Sequence, residues 1–295
     1  MAEQRATAAA VCWIDGQLMA ARDASLSVLD HGLLYGDGVF EGIRFYHGRP
    51  FRLAEHLRRL EDSARAIALD VPLEQAALEQ AVNETIAAFA GDSGYLRLVV
   101  TRGPGPLGLD PAPCQQPTLL IVAQELELVG VEARAHGIRL VTASTRRLAS
   151  DGIDPRIKSL NYLNNILARI EANAAGADEA LLLNAAGRIA EGSADNVFAV
   201  CRDGLITPPV SEGALDGITR RLLIDLATAV GIEVVERPMA TYDLYTAREC
   251  FLTGTGAELI PVAEIDGRRL PAIPGPVFTE LQRRFRQTIT EECQT

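Results

Sequence analysis

Strand-period and helix-period runs are mixed along this whole chain without a regular strand–helix–strand alternation, and that pattern limits the fold more than any other feature. Regular alternation builds a parallel sheet covered on both faces. Mixed order in 295 residues predicts an α+β protein of two domains. WIDGQLM reads as a hairpin turning at Asp15-Gly16, and VFEGIRFYHGRPFRL as another turning at His47-Gly48. The period then changes: Leu53, Leu57, Leu60, Ala64 and Ile67 share one face of a helix over 52–68. A second helix over 73–90 turns Leu78, Val82, Ile86 and Phe89 inward. Strand YLRLVVTR, a Gly/Pro-rich loop over 103–117 and strand TLLIVAQ follow. These elements form a first domain over 1–125, and a charged stretch over 126–137 ending in Gly137 reads as the connection to a second domain over 138–295. There the pattern predicts strand IRLVTAS, a polar loop to Arg156, a helix from about 160 to 174, and strands over 179–184 and 195–201. A helix over 217–230, a loop at TGTGAE, a hairpin at IDGRR and a last helix from Pro276 complete the chain.

Composition removes several function classes. A net charge of −11 disfavours nucleic acid and anionic membranes as partners. No apolar run approaches membrane-spanning length, and MAEQRATAAAVCW lacks the layout of a signal peptide. Five scattered cysteines with no CxxC pair predict reduced thiols and a cytoplasmic location. His31, His47, His56 and His136 show no ligand spacing, so no metal site is expected.

One count stands apart. The 28 basic residues are 27 arginines and a single lysine, Lys158. Genome composition can deplete lysine, but arginine cannot serve as an amine nucleophile, so the one lysine left is a candidate for covalent chemistry. Lys158 falls between the polar loop and the helix expected from about 160, where the positive end of a helix dipole favours a neutral amine or one bound near a phosphate. A solvated loop lysine is the alternative.

Glu191 lies in RIAEGSADN, between two strand-like runs, with small neighbours that leave room for a ring. It is either an exposed hairpin charge or the carboxylate that pyridoxal-phosphate chemistry requires against its pyridine nitrogen. Gly217-Ile218-Thr219 opens a predicted helix and is a natural anion site; Thr253-Gly-Thr-Gly256 is a second cluster of hydroxyls and small residues, and Arg59 supplies a charge. Capping, a tight turn and a solvated arginine are the plain alternatives. Gly103-Pro-Gly-Pro-Leu-Gly108 matches GxGxxG, but the prolines that follow prevent a helix from opening there, so it is a shaped loop. No GxxxxGK[ST] loop and no GxSxG elbow is present.

DHGLLYGDGVFEGIRFY, RLAEHLRRLEDSA, YLRLVVTRG, IKSLNYLNN, GRIAEGSADNVF, LDGITRRLL and LTGTGAELIPV together resemble the fold-type IV (class IV) pyridoxal-phosphate aminotransferases, over about 30–262 and in family order. The resemblance implies a small α/β domain, a larger pseudo-barrel α/β domain carrying the lysine, and at least a homodimer. It makes Lys158 the Schiff-base lysine, Glu191 the partner of the pyridine nitrogen and Tyr162 the contact to the phenolic oxygen. Arg59, Ile218, Thr219 and Thr255 become the phosphate cradle. YGDGVFEGIR is close to the signature of branched-chain aminotransferases, and Tyr95-Leu96-Arg97 matches their receivers of the substrate carboxylate. The implied substrate site is Tyr35, Phe40, Arg44, Tyr95, Arg97, Gly256 and Ala257, with Tyr35, Phe40 and Tyr162 as an apolar wall.

Two features depart from the common bacterial branched-chain pattern. IKSLNYL is one residue shorter between lysine and tyrosine than in many bacterial branched-chain enzymes and is nearer to a variant shared with some archaeal-type branched-chain and D-amino-acid enzymes, and Arg102 resembles a carboxylate-binding arginine of the D-amino-acid group. Arg97 and Arg102 are five positions apart, so on a regular strand they face opposite sides. The expected reaction is transamination between a branched-chain L-amino acid and 2-oxoglutarate. D-amino-acid or (R)-amine transamination, aminodeoxychorismate lyase activity and a non-catalytic pyridoxal-phosphate carrier are the alternatives.

Overall fold

The computed structural model describes residues 10–127, 130–149 and 151–294. It divides into two compact units. The first takes the described residues up to Leu126, with Ile157–Asn161 and the chain from Ile289; the second takes Glu127–Arg156 and Tyr162–Thr288.

The first unit is built on a six-stranded antiparallel sheet. β1 (Val11–Ile14) and β2 (Gln17–Ala20) close through Asp15 and Gly16, both at positive φ (44° and 88°), the pair a two-residue hairpin requires. Short helix α1 (His31–Tyr35) leads into β3 (Gly38–Tyr46), which returns as β4 (Arg49–Pro50) through His47 and Gly48. With β5 (Gly94–Thr101) and β6 (Thr118–Gln124) the order is β2-β1-β6-β5-β3-β4. α2 (Leu53–Ala66) and α3 (Gln75–Ala88) share its core: Leu57, Leu60, Leu78, Val82 and Ile86 are buried with Ile43, Phe45, Leu96, Leu98 and Ile121. Each such side chain contributes roughly 1.5–3 kcal/mol by leaving water. Strand parity puts Val39, Glu41, Ile43 and Phe45 on this core face and Phe40, Gly42 and Arg44 on the other.

The second unit holds a nine-stranded mixed sheet. Its strands are β7 (Ile138–Arg146), β8 (Glu179–Leu183), β9 (Ile189–Gly192), β10 (Asn196–Cys201), β11 (Gly204–Thr207), β12 (Val234–Glu236), β13 (Glu249–Gly254), β14 (Glu258–Ile265) and β15 (Arg268–Arg269). The order is β12-β11-β10-β13-β14-β7-β8-β9, with β15 on β14. Pairs β11/β12, β14/β7 and β7/β8 are parallel. α4 (Val131–His136) packs on β14, α5 (Leu163–Ala174) on β7 and β8, and α6 (Ile218–Ala229) on β13. α7 (Thr241–Tyr245) and α8 (Pro276–Cys293) complete the set, the residues of α8 from Ile289 being counted with the first unit. The α+β class agrees with the sequence expectation.

Four local expectations are corrected. Residues 157–161, expected in the second domain, pair with β3 in the first unit: Phe40 N–H donates to Lys158 C=O and Leu160 N–H to Gly38 C=O, both at 2.9 Å. The helix expected from about 160 therefore starts only at Leu163, and Lys158 lies in an extended segment, not at a helix entrance. Glu191 lies within strand β9, whose four residues are too few to show a period. The stretch expected as a connection contains α4; residues 128 and 129 of it lie outside the described residues.

Candidate active site

In the first unit, α2 presents His56, Arg59 and Ser63 on one buried face, at helical spacing. Ser63 Oγ accepts the Lys158 N–H at 3.1 Å, while β3 binds the Lys158 carbonyl. The lysine backbone is thus clamped on both sides. Its Nζ lies 4.6 Å from the centre of the Phe40 ring, and the Arg97 guanidinium lies 4.3 Å from the same ring. Gly42 faces Arg97 across the β3–β5 pair. A Cβ on Gly42 would come within 1.8 Å of Tyr95 Oη, so glycine there is what seats Tyr95 over the strand. Arg44 pairs with Tyr95 and is half-buried, and Tyr35 Oη accepts the Gly108 N–H at 3.0 Å. Tyr35, Phe40, Arg44, Tyr95 and Arg97 thus all belong to this unit, with the last four on one face of its sheet.

Beneath Phe40, on the core face, lies a charge cluster. Arg59 binds Glu41 through both edges of the carboxylate, Nε to Oε1 at 2.7 Å and Nη2 to Oε2 at 2.8 Å. His56 Nδ1 lies 2.7 Å from Oε2. Glu41 is 0% and His56 1% exposed, so neither can turn to solvent. Burial pushes the Glu41 carboxyl up, but Arg59 and His56 outweigh it and hold it well below the usual carboxylate range. Burial pulls the His56 imidazole down, and Glu41 does not reverse this. An ionised carboxylate can only accept, so His56 donates to Glu41 through Nδ1–H.

Arg97 and Arg102 differ in their surroundings. Arg102 Nε and Nη2 hold Asp37, at 2.8 and 3.0 Å, while Nη1 and Nη2 donate to the carbonyls of Ala68 and Ile67. Four bonds from one buried guanidinium make Arg102 a structural tie and speak against a role in holding a substrate carboxylate. Arg97 is exposed on the face of Phe40 and Tyr95.

In the second unit, Glu191 is buried on β9. Its Oε1 meets Arg147 Nη2 at 2.9 Å and its Oε2 accepts the Leu215 N–H at 2.9 Å. Arg147 is itself anchored, Nε to the Gly213 carbonyl and Nη1 to Asn165 Oδ1, each at 3.0 Å. Asn165 Nδ2 donates to the Ser193 carbonyl at 2.6 Å. Asp195 and Asn196 then fix two loops. Asn196 Nδ2 binds the Leu215 carbonyl at 2.9 Å, and its Oδ1 fills the space a Cβ on Gly217 would need. Asp195 does the same at Gly254. So Glu191, the opening of α6 at Ile218 and Thr219, and the turn carrying Thr255, Gly256 and Ala257 are gathered by one set of contacts. Gly217 caps α6 without a side chain, and Thr253 Oγ1 is buried without a hydrogen-bond partner. Tyr162 is the half-buried residue before α5. Among the described residues no group of three or more His, Cys, Asp or Glu is placed to hold a metal ion.

Sequence reasoning missed Glu41, His56, Ser63, Arg147 and Asn165. Glu41 carried a signal, a charge at a core-facing parity of β3. Arg147 carried none, since its role depends on partners far along the chain, the Gly213 carbonyl and the side chains of Asn165 and Glu191.

The chain matches the family model for class IV amino-transferases over residues 38–265. A protein of Methanocaldococcus jannaschii that bears the branched-chain-amino-acid aminotransferase name provisionally is 48% identical over 281 residues, covering 95% of this chain and 96% of its own length. The branched-chain-amino-acid aminotransferase of Pseudomonas aeruginosa is 37% identical, over 93% of this chain and 91% of the relative. The crystal structure of the Escherichia coli branched-chain amino acid aminotransferase superposes with a TM-score of 0.92 at 36% identity, over 96% of this chain and 95% of that one. With the family model matched across both units and full-length relatives above 30% identity, this chain belongs to the class IV aminotransferases.

Proposed function

We propose that the chain transfers an amino group between a branched-chain L-amino acid and 2-oxoglutarate with pyridoxal 5′-phosphate as cofactor. The observation that carries this is the single lysine of the chain, clamped through both its N–H and its C=O. The donor set fits the cofactor: one amine, a buried carboxylate held in place, a helix opening without a side-chain cap, and an orphaned buried hydroxyl at Thr253. Related names support the donor class. Solved branched-chain aminotransferase structures at 36–37% identity are described with pyridoxamine 5′-phosphate, with N-(5′-phosphopyridoxyl)-L-glutamate, and with 4-methylvaleric acid, which has a leucine-like skeleton.

When bound, the cofactor supplies an aldehyde that takes up the amino group and a pyridine ring that withdraws electrons from the substrate Cα. Lys158 would hold it, and its Nζ would be the group that takes and returns the proton of the substrate Cα. Glu191 keeps a proton on the pyridine nitrogen. Arg59, Ile218, Thr219 and Thr255 hold the phosphate, and Tyr162 the phenolic oxygen. Tyr95 and Arg97 receive the substrate carboxylate; Tyr35, Phe40, Arg44, Gly256 and Ala257 shape the rest of the substrate site. The chain works in the cytoplasm as at least a homodimer. Five free cysteines support the first, and the exposed apolar stripe Leu163, Ile166, Leu167 and Ile170 on α5 supports the second. No helix among the described residues is long and apolar enough to cross a membrane.

The test uses the lone lysine. Borohydride reduction of the holoenzyme should attach the cofactor mass to the peptide containing Lys158 and block the one cut made by a lysine-specific protease. Lys158→Arg should abolish turnover while keeping the charge. Cleavage after Lys158 in reduced protein, with no added mass, sinks the reading. L-leucine should convert the cofactor to its pyridoxamine form faster than D-alanine does.

A further inference from the structure

Arg59 carries the positive charge for the cofactor phosphate in the reading above, and this inference rests on that placement. A long arginine side chain loses rotamer freedom when it grips an anion, unless something has already fixed it. In this chain the fixing is complete before any ligand arrives. The Nε–Nη2 edge of Arg59 is held in a two-point fork by Glu41, at 2.7 and 2.8 Å. Glu41 is held in turn by His56 at 2.7 Å. The three side chains come from one buried helix face and one strand, and the carboxylate is 0% exposed. Burying a carboxylate and an imidazole is costly unless each is paired, so the cluster is not a neutral filler of the core.

We propose that Glu41 and His56 are positioning residues that set the Arg59 guanidinium for the phosphate of the cofactor. Glu41 fixes the plane of the guanidinium through its fork. His56 fixes Glu41 by donating Nδ1–H to Oε2, which stops the carboxylate from rotating about its last bond. Neither touches the phosphate. A shorter carboxylate withdraws one end of the fork but keeps the charge. That separates orientation from electrostatics, because removing the charge altogether would also strengthen the pull of Arg59 on any anion.

Equilibrium titration of the apoenzyme with pyridoxal phosphate and with pyridoxal, which lacks the phosphate, reads this directly. Arg59→Lys should weaken pyridoxal phosphate and leave pyridoxal unchanged. Glu41→Asp should weaken pyridoxal phosphate by roughly three- to tenfold, the cost of ordering one freed side chain, again without affecting pyridoxal. In an Arg59→Lys background Glu41→Asp should add nothing further. His56→Asn keeps a donor near the Nδ1 position and should bind as wild type, whereas His56→Leu should show the phosphate-selective loss. If Glu41→Asp yields no folded protein, the His56 pair decides. Equal losses for both ligands, or additive losses in the double variant, overturn the inference while leaving Arg59 as a phosphate contact. An Arg59→Lys change that weakens both ligands alike overturns the placement of Arg59 and this inference with it.

Discussion

Glu41 with Arg59 in the first unit and Glu191 with Arg147 in the second are both buried carboxylates paired with an arginine, and the two pairs are supported in opposite directions. In the first unit Glu41 offers both oxygens to Arg59 and is steadied by His56, so the carboxylate is the anchor and the arginine is the group being aimed. In the second unit Arg147 is tied to the Gly213 carbonyl and to Asn165, and its Nη2 meets Glu191. There the arginine is the anchor and the carboxylate is aimed. An ion pair alone does not reveal which member works on a ligand; the member with independent anchorage is the support.

The largest effect expected from this contrast is at Glu191. Glu191→Gln should retain the cofactor but lose kcat by about a hundredfold or more, because the pyridine proton matters most in the transition state. Arg147→Ala should move kcat in the same direction by about tenfold, since it only supports Glu191. Steady-state rates and the absorbance of the bound cofactor check both, and a wild-type kcat in Arg147→Ala would reverse the assigned direction of support.

A second pair sharpens the same rule on a single strand and its end. Arg97→Ala should lower kcat/KM for L-leucine and 2-oxoglutarate by about tenfold to a hundredfold, the worth of a charge-assisted contact. Arg102→Ala should instead cost roughly 2–3 kcal/mol of stability, below the full value for a buried pair because Asp37 is partly exposed. Its KM values should stay close to wild type. If denaturant unfolding shows Arg102→Ala as stable as the parent while its KM rises, the two arginines have been assigned the wrong way round.

The smallest effect is a pH dependence. His56 binds a proton less readily when folded than when unfolded, because burial disfavours its charged form. The unfolded chain therefore gains protons first, from about pH 6.5 downward. The contribution is present above that value and is lost as pH falls toward the lower folded value. The depressed Glu41 carboxyl adds a second loss that begins only near its unfolded value of about 4.3. His56→Asn should flatten the upper window alone. Unfolding midpoints at pH 7.5 and 5.5 should differ less in His56→Asn than in the wild type; an unchanged slope would remove His56 from the acid response.

Much of this was legible because local chemistry and global structure agree. The Asp15-Gly16 and His47-Gly48 turns, the inward faces of α2 and α3 and the start of α6 after Gly217 follow from periodicity and turn residues. What was not legible depends on contacts far apart in sequence. Lys158 looked like a residue at a helix entrance because nothing local shows that 157–161 will pair with β3, more than a hundred residues earlier. Arg147 looked like any loop arginine, and the family motifs pointed to Glu191 but not to the residue that holds it. Sequence favoured Arg97 over Arg102 for the substrate carboxylate, but the ties of Arg102 to Asp37, Ile67 and Ala68 could not be read from it.

The fit of Tyr95 against Gly42 has an evolutionary consequence. The phenol oxygen takes the place where the first carbon of any larger residue at position 42 would stand. The two positions are therefore sterically coupled. A descendant that gains even a methyl group at 42 must displace the tyrosine in the same step, and one that first loses the tyrosine opens room for a side chain at 42. A change of shape at position 42 is therefore felt first at position 95, through the tyrosine that has to move aside.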